Sequence, residues 1–258
     1  MSKNVLIVGI AGRMGKLIYS RLSEESDFTC VSGYDLNQPD FDVDVPVTSK
    51  ISSIIDKSDL VVDFSLPKAT MSVLQACIEH RKGMVIGTTG YSNAQLTKLK
   101  IASKSIPVLL SYNMSMGIGI VRKLVRQMAG ILPDIYDVEI VEKHHKLKQD
   151  APSGTAYMIG QDVAKCRKQN FAKKARYGRE GISPRKKGDI TFHSLRGGSI
   201  IAEHGIYFIG DHDKIVIAHT AFDRMIFSEG VIHALKFIQD KKSGWYTMEN
   251  ILDGLDEL

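Results

Sequence analysis

Asn4-Val-Leu-Ile-Val-Gly-Ile-Ala-Gly-Arg-Met-Gly15 begins the chain with an apolar run and a glycine-rich turn. The apolar run is bounded by turn residues, which is typical of a buried parallel strand. Leu17, Ile18 and Leu22 then share one face of a helix predicted from about Met14 to Glu24. A strand, a glycine turn and a helix in this order are the context of a dinucleotide-binding fingerprint, in which pyrophosphate lies at the helix N-terminus.

Asp35 ends the second predicted strand, Phe28–Tyr34, about 20 residues after the glycine turn. A carboxylate there can accept hydrogen bonds from the ribose hydroxyls of a dinucleotide. The simpler interpretation is a turn aspartate beside Asn37 and Pro39. The turn alone is a weak signal, because Ile10 stands where the first glycine of the G-x-G-x-x-G spacing would fall.

Further strands alternate with helices along the first half of the chain. They are predicted at Leu60–Ser65, at Met84–Gly90 with its hydroxyl-bearing loop, and at Pro107–Ser111. Repeated strand–helix alternation indicates an α/β fold with a doubly wound, Rossmann-like parallel sheet. Ligands of such sheets bind outside the carboxyl ends of the strands, where each of these motifs falls.

The pattern changes near Met116, where a helix from Ile118 to Leu132 is followed by strands with little helix between them. Such spacing is typical of an α+β domain with a mixed or antiparallel sheet. A helix from Phe222 to Gln239 and the tail from Trp245 to Leu258 are expected to return to the first domain. We therefore expect one domain from residues 1–114 with 225–258 and a second from residues 115–224. The strands predicted in the second domain are Tyr136–Lys143, Ile190–Leu195, Ile200–Ile209 and Lys214–His219.

Composition restricts the class of protein. The 258 residues are 43% hydrophobic, which is ample for a core, and no run approaches the ~20 apolar residues that span a membrane. Cys30, Cys77 and Cys166 are far apart and have no metal-ligand spacing. The N-terminus has no secretory h-region, so reduced thiols in the cytoplasm are expected.

The net charge of +5 is unevenly placed, with 14 Lys/Arg against 5 Asp/Glu between Glu142 and Arg196. Such a block could contact nucleic acid or surround a pocket for an acidic small molecule. The sequence has no helix-turn-helix, zinc or RNA-binding motif, so we favour the pocket and expect neither nucleic acid nor membrane as a partner.

A basic connector, Glu142-Lys-His-His-Lys-Leu-Lys-Gln-Asp-Ala-Pro-Ser-Gly-Thr-Ala156, joins a predicted strand to a predicted helix. Its two imidazoles could donate protons, and Lys148 or the amides of Gly154 and Thr155 could bind a carboxylate. A solvated basic loop is the simpler interpretation. His193, His204 and His219 lie in predicted strands and are expected to be packed rather than catalytic. No ligand spacing predicts a metal site.

The connector resembles the signature of the 4-hydroxy-tetrahydrodipicolinate reductase (dihydrodipicolinate reductase) family, enzymes of the diaminopimelate route to lysine. The likeness runs nearly end to end and includes Gly-x-x-Gly-Arg-Met-Gly15, Tyr177-Gly-Arg-Glu-Gly181, Phe192-His-Ser-Leu-Arg-Gly-Gly198 and His219-Thr-Ala-Phe-Asp-Arg224. Two departures are small: Ala202 replaces the usual glycine before Glu203-His204, and no arginine follows Asp35.

The resemblance implies that 4-hydroxy-tetrahydrodipicolinate, a cyclic dicarboxylate, is reduced with loss of water by NADH or NADPH. It further implies that the first domain binds the dinucleotide, and that the second binds substrate and forms a homotetramer through its sheet. By matching positions, His144 is the acid–base residue, Lys148 is a second proton donor, and His145, Gly154 and Thr155 hold the substrate. The cofactor contacts are expected at Gly9, Ile10, Ala11, Gly12, Arg13, Met14, Asp35, Gly87, Thr88, Thr89, Ser111, Tyr112, Asn113 and Met114.

Three alternatives remain open from the sequence. The first is another dehydrogenase of the same two-domain plan, of an aspartate or homoserine type. The second is an NAD-sensing regulator that binds nucleic acid through the basic block. The third is a metal-dependent hydrolase that uses His144 and His145.

Overall fold

The computed structural model describes residues 2–254, so Met1 and residues 255–258 of the predicted first domain lie outside the described residues. The chain separates into two compact units, residues 1–116 with 225–258 and residues 117–224. Each unit has its own sheet. The predicted fold class, a Rossmann-like parallel sheet followed by an α+β unit with a mixed sheet, is confirmed.

The first unit is built on a parallel sheet of seven strands. Its strands are β1 (Lys3–Val8), β2 (Phe28–Tyr34), β3 (Val47–Thr48), β4 (Leu60–Asp63), β5 (Gly83–Ile86), β6 (Pro107–Leu110) and β12 (Gly244–Tyr246). Their order is β12-β6-β5-β4-β1-β2-β3, so the direction of winding reverses between β1 and β4. Ligands of doubly wound sheets bind at that switch point, outside the carboxyl ends of the strands.

Helices cover both faces of this sheet because the buried strands are apolar on both sides. Val5 and Ile7 pack with Ile18 and Leu235 on one face, whereas Leu6 and its neighbours pack on the other. The helices of this unit are α1 (Arg13–Ser23), α2 (Pro67–Glu79), α3 (Asn93–Ala102), α7 (Met225–Ile238) and α8 (Met248–Asp253).

The second unit has a mixed sheet of five strands in the order β11-β10-β7-β9-β8. The strands are β7 (Asp137–His144), β8 (Ala175–Tyr177), β9 (Ile190–Arg196), β10 (Ala202–Ile209) and β11 (Lys214–Ala221). β10 is antiparallel to both of its neighbours, whereas β7, β9 and β8 are mutually parallel. One face packs on α4 (Met116–Ile131) and α5 (Gly154–Cys166), and α6 (Phe171–Lys174) precedes β8.

Two local predictions differ from the structure. Residues 49–57 are predicted as a short helix but contain two short 3₁₀ turns, Ile51–Ser53 and Ile55–Lys57. Residues 165–187, rich in charge and glycine, are predicted as a helix end and a long loop, but they also contain α6 and β8. The tail contributes β12, which pairs with β6, and then α8; its last four residues lie outside the described part.

Candidate active site

The glycine turn after β1 forms the tight bend that a dinucleotide site requires. Gly9 has φ +84°, and a Cβ added there would lie 2.7 Å from the carbonyl oxygen of Phe64. A Cβ on Gly15 would lie 2.2 Å from the carbonyl oxygen of Gly9, so only glycine lets α1 start this close to β1. Helix α1 begins at Arg13, and its first amides point out of the turn. This cradle fits a pyrophosphate.

Asp35 lies directly beside the glycine turn. Its Oδ2 accepts a hydrogen bond from the amide of Ala11 at 3.1 Å, and its Oδ1 accepts one from the amide of Asn37 at 3.0 Å. The carboxylate is therefore fixed at the end of β2, and its remaining lone pairs can accept from ribose hydroxyls.

The loop after β5 places its two threonines differently. Thr88 is buried, and its hydroxyl donates to Asp63 Oδ1 at 3.0 Å. Thr89 is exposed at the carboxyl edge of the sheet. A Cβ on Gly87 would lie 2.2 Å from the ring of Phe64, so the two loops are in close contact.

The loop after β6 is held by its own hydrogen bonds. Ser111 Oγ donates to the carbonyl of Asn113 at 2.7 Å, and the side chain of Asn113 accepts from the amide of Ser115 at 2.9 Å. Tyr112 is 46% exposed, whereas Met114 is buried against Gly230. Tyr112 is therefore a large, partly apolar side chain exposed after the carboxyl end of β6.

In the second unit, β7 carries Glu142 and His144 on the same buried face. His144 is 7% exposed, and its Nδ1 lies 2.5 Å from Oε2 of the fully buried Glu142. Arg196, at the end of β9, donates to both carboxylate oxygens at 2.7 and 2.8 Å. The amide of Ser153 donates to Oε1 at 3.2 Å.

Glu142 is ionised in this arrangement. Burial alone would raise its pKa, but hydrogen bonds from His144 and Arg196 outweigh burial and hold the pKa of the carboxyl well below its ordinary range. An ionised carboxylate only accepts, so Nδ1 of His144 must donate to it. This fixes the tautomer and the orientation of the ring and leaves Nε2 as the nitrogen that can exchange a proton with a ligand.

His204 on β10 supports the same loop. Its Nε2 lies 3.1 Å from Ser153 Oγ, and Ser153 also caps α5 by accepting from the amide of Ala156 at 3.2 Å. The His204 ring meets the His144 ring edge-on, with centroids 5.3 Å apart. Burial, with a smaller effect of nearby His144, lowers the pKa of His204 to about 4, so this imidazole is neutral.

The rest of the connector presents cationic and backbone groups. Lys148 Nζ lies 2.8 Å from Asp150 Oδ1, and the amide of Lys148 donates to the carbonyl of His145 at 3.1 Å. Gly154 is the first residue of α5, and open space surrounds the position of its absent Cβ. His145 and Thr155 are half-buried. A carboxylate can bind at such a helix N-terminus beside a lysine.

Comparisons with known proteins identify the family. The model of the dihydrodipicolinate reductase N-terminus matches residues 3–114, and that of the C-terminus matches residues 117–252. The 4-hydroxy-tetrahydrodipicolinate reductase of Alkaliphilus oremlandii is 40% identical over 250 residues, which covers 97% of this chain and 98% of that protein. The chain belongs to the dihydrodipicolinate reductase family. The predicted family is thus confirmed.

Solved structures agree with this membership. The dipicolinate-bound dihydrodipicolinate reductase of Paenisporosarcina sp. TG-14 superposes with a TM-score of 0.82 at 27% identity, covering 97% of this chain and all of that one. Aspartate dehydrogenase of Thermotoga maritima reaches a TM-score of 0.55 at 14% identity, which reflects a shared fold alone.

Sequence reasoning missed part of this dihydrodipicolinate reductase site. The sequence predicts no role for Glu142, although it begins the connector, and Arg196, Ser153 and His204 are not among the predicted site residues. One signal was available: continuing the strand alternation of Val138 and Ile140 places Glu142 and His144 on the same buried face. The contact with Arg196 joins residues 54 apart in sequence, which no local pattern reveals.

Residues 2–254 bear on three further questions, namely a metal site, a membrane-spanning helix and further cavities. Within these residues, no three His, Cys, Asp or Glu side chains are grouped as a metal site would require. None of their helices has the length and hydropathy needed to cross a bilayer. A cavity of about 410 Å³ in the second unit is lined by Pro152, Tyr177 and His193 rather than by His144 or Lys148, so we do not place the substrate there.

Proposed function

We propose that the chain reduces 4-hydroxy-tetrahydrodipicolinate to tetrahydrodipicolinate, with loss of water, in the diaminopimelate route to lysine. Family membership over both units supports this reaction. The observation that carries the proposal is His144, which Glu142 and Arg196 hold at the end of β7 with one ring nitrogen directed away from the buried carboxylate. A fixed acid–base group beside a cationic connector suits reduction of an unsaturated dicarboxylate.

We infer that the first unit binds NADH or NADPH. Gly9 and Gly15 let the turn pack closely against the backbone of Phe64 and let α1 begin directly after β1, so the first amides of α1 can bind a pyrophosphate, and Asp35 is fixed for a ribose. When bound, the dinucleotide supplies a hydride. Further cofactor contacts are assigned to Ile10, Ala11, Gly12, Arg13, Met14, Gly87, Thr89, Ser111, Tyr112, Asn113 and Met114. Thr88, which the resemblance also implies as a contact, is buried with its hydroxyl donated to Asp63.

The second unit is proposed to bind the dicarboxylate. The dihydrodipicolinate reductase of Paenisporosarcina is known with dipicolinate bound, and a planar dicarboxylate of this kind requires cationic and amide donors. Lys148, His145 and the N-terminal residues of α5, Gly154 and Thr155, provide them. Loss of water removes the ring hydroxyl, protonated by Lys148, together with a proton from the neighbouring ring carbon. Hydride addition then leaves negative charge on the ring, which the Nε2 proton of His144 neutralises.

Lys148 gives a testable division of roles. Lys148→Met is expected to bind the dicarboxylate less well than Lys148→Arg, whereas both are expected to have comparably low turnover. Arginine keeps the positive charge but does not release a proton near neutral pH. Steady-state kinetics of both variants, with Lys146→Met at an exposed neighbour as the control, measure this. Full recovery of turnover by arginine would mean that the role of Lys148 is electrostatic only.

The cofactor preference follows from Asp35. The 2′-phosphate of NADPH would meet this carboxylate, and the following residues, Leu36 and Asn37, supply no cation, although Arg13 could offset part of the repulsion. NADH is therefore expected to serve at least as well as NADPH, and Asn37→Arg to shift the preference toward NADPH by about tenfold.

The ratio of kcat/KM for the two cofactors measures this preference. Thr97→Arg, which adds the same charge on the exposed face of α3, is the control. A strong preference of the unaltered enzyme for NADPH, combined with intact NADH binding by Asp35→Ala, would show that another group binds the ribose.

We further propose a homotetramer formed through the second sheet. The face of that sheet opposite α4 and α5 carries exposed apolar side chains, with Leu195, Ile209 and Val216 each 38–46% exposed. Exposed apolar side chains on a sheet face favour association with another copy. The mass measured by light scattering supports the proposal if it equals four chains and contradicts it if it equals one.

We place the protein in the cytoplasm, and we propose no nucleic-acid or membrane partner. The three cysteines are free thiols in the structure, which suits a reducing compartment. The basic residues of the second unit are partly committed to carboxylates, as in the pairs of Arg196 with Glu142 and Arg179 with Glu139.

A coupled assay tests the reaction. The unstable substrate is made in the cuvette by the upstream synthase from pyruvate and aspartate semialdehyde, and NADH oxidation is followed by absorbance. Oxidation should require the synthase and both of its substrates. Oxidation with aspartate semialdehyde or oxaloacetate alone would favour a different dehydrogenase, and activity without nicotinamide that a chelator abolishes would favour a hydrolase.

A further inference from the structure

Asp63 is a buried carboxyl group at the carboxyl end of β4, on the switch point between β1 and β4. It is 0% exposed, and no cation pairs with it among the described residues. An unpaired buried carboxyl group is costly to fold, so its presence at the ligand edge of the sheet requires an explanation.

The hydrogen bonds of Asp63 converge on one oxygen. Oδ1 accepts from the amide of Ser65 at 3.0 Å, from Ser65 Oγ at 2.5 Å and from Thr88 Oγ1 at 3.0 Å. Oδ2 is buried and has no hydrogen-bond partner within residues 2–254. Burial raises the pKa of Asp63 despite these hydrogen bonds. The carboxyl group thus joins the segment after β4 to the loop after β5.

Gly9 and Gly87 also pack closely against the segment that follows β4, Phe64–Ser65. The backbone of Phe64 and Ser65 lies against Gly9, where an added Cβ would be 2.7 Å from the Phe64 oxygen. The ring of Phe64 covers Gly87, where an added Cβ would be 2.2 Å from the ring. Asp63 therefore holds a segment that touches the glycine turn and the Gly87–Gly90 loop together.

The position of these loops indicates which half of a dinucleotide they meet. Asp35 lies at the end of β2, on one side of the switch point, and an acidic residue there takes the adenosine ribose. The loops after β4 and β5 lie on the other side, in the half of the sheet that meets the nicotinamide riboside.

We propose that Asp63 is a positioning residue for the dinucleotide: by holding Ser65 and Thr88 it fixes the Phe64–Ser65 segment and the Gly87–Gly90 loop in the arrangement that binds the nicotinamide riboside. This inference rests on the proposed function. Because the hydroxyl of Thr88 is committed to Asp63, Thr88 acts through the loop, and Thr89 is the threonine that is free to face the cofactor.

Thr88→Val is the decisive variant, because it removes the hydroxyl that Asp63 accepts while keeping the side-chain shape. It is expected to raise the Kd for NADH about tenfold, because the hydroxyl loses both the hydrogen bond that it donates to Asp63 and the one that it accepts from the amide of Ser65 at 2.9 Å. The KM for NADH should rise with it, whereas the KM for the dicarboxylate should not. Thr88→Ser keeps a hydroxyl and should bind NADH more tightly than Thr88→Val. Thr97→Val on α3, whose hydroxyl donates to the carbonyl of Asn93, is the matched control.

The measurements are a fluorescence titration with NADH and steady-state kinetics, with the thermal midpoint of the free protein recorded beside them. Asp63→Asn, which retains an acceptor oxygen, and Asp63→Ala, which does not, form a second pair for the same measurements. If Asp63→Ala does not fold, the result for Thr88→Val decides the question. An NADH affinity for Thr88→Val equal to that of Thr97→Val would overturn the proposal, and so would equal weakening of NADH and dicarboxylate. An unaltered chain that binds neither NADH nor NADPH would instead contradict the proposed function, and this inference with it.

Discussion

His144→Ala is expected to lower turnover by at least ~100-fold, because a general acid typically contributes a factor of ~10²–10⁴. Glu142 fixes the imidazole through Nδ1, so the catalytic function that the substitution removes is proton exchange at Nε2. The carboxylate-binding groups of the connector remain, and the KM for the dicarboxylate should change little. Single-turnover and steady-state rates with NADH separate the two effects.

His233→Ala, at an exposed position of α7, is the matched control for this substitution. Near-normal turnover of His144→Ala would remove His144 from the mechanism. A loss confined to KM would make His144 a binding group rather than an acid.

Glu142→Ala is expected to reduce both stability and turnover. It leaves the guanidinium of Arg196, which is 19% exposed, without its carboxylate, and it removes the acceptor for His144 Nδ1. Breaking a buried ion pair from one side typically costs about 3–5 kcal/mol, and the partial exposure of Arg196 favours the lower end. Turnover should also fall by about tenfold or more, since the tautomer and orientation of His144 are no longer fixed.

Chemical denaturation and kcat measure the two consequences. Glu24→Ala is the control, because Glu24 is 61% exposed and pairs with Arg21 at 3.7 Å, a surface pair worth about 0–1 kcal/mol. Unchanged stability of Glu142→Ala would mean that water or another group replaces the carboxylate.

Glu142 also makes stability depend on pH in acid. Its pKa is held below the ordinary 4.5, so above that pH its contribution is fully present. As the pH falls below about 4.5 the unfolded chain binds a proton that the folded chain does not, and stability declines. Compared with the unaltered chain, Glu142→Gln should therefore have a lower free energy of unfolding at neutral pH. Its free energy of unfolding should also fall less between neutral and acid pH than that of the unaltered chain.

Local patterns predicted the first unit well because its signals are contiguous. The strand, glycine turn and helix at Asn4–Ser23 depend on neighbouring residues, and the structure has β1, the turn and α1 there. In contrast, β12 has three residues and exists because it pairs with β6, far away in sequence. No periodicity can appear in so short a strand.

The candidate site was predictable in part for the same reason. His144 and Lys148 lie in one motif, whereas their arrangement depends on Arg196 and His204, which other strands bring to the connector. Likewise, the two threonines of the Gly87–Gly90 loop are equivalent by composition, and only the buried Asp63 distinguishes Thr88 from Thr89.

The most direct test of the account follows the hydride itself. NADH deuterated at the transferring position of C4 is incubated with the enzyme and with substrate generated by the synthase, and the dicarboxylate product is analysed by mass spectrometry. We predict a single deuterium in tetrahydrodipicolinate, formed by the unaltered chain and by His233→Ala and nearly absent with His144→Ala. NADH consumption that leaves no deuterium in the dicarboxylate would contradict the account.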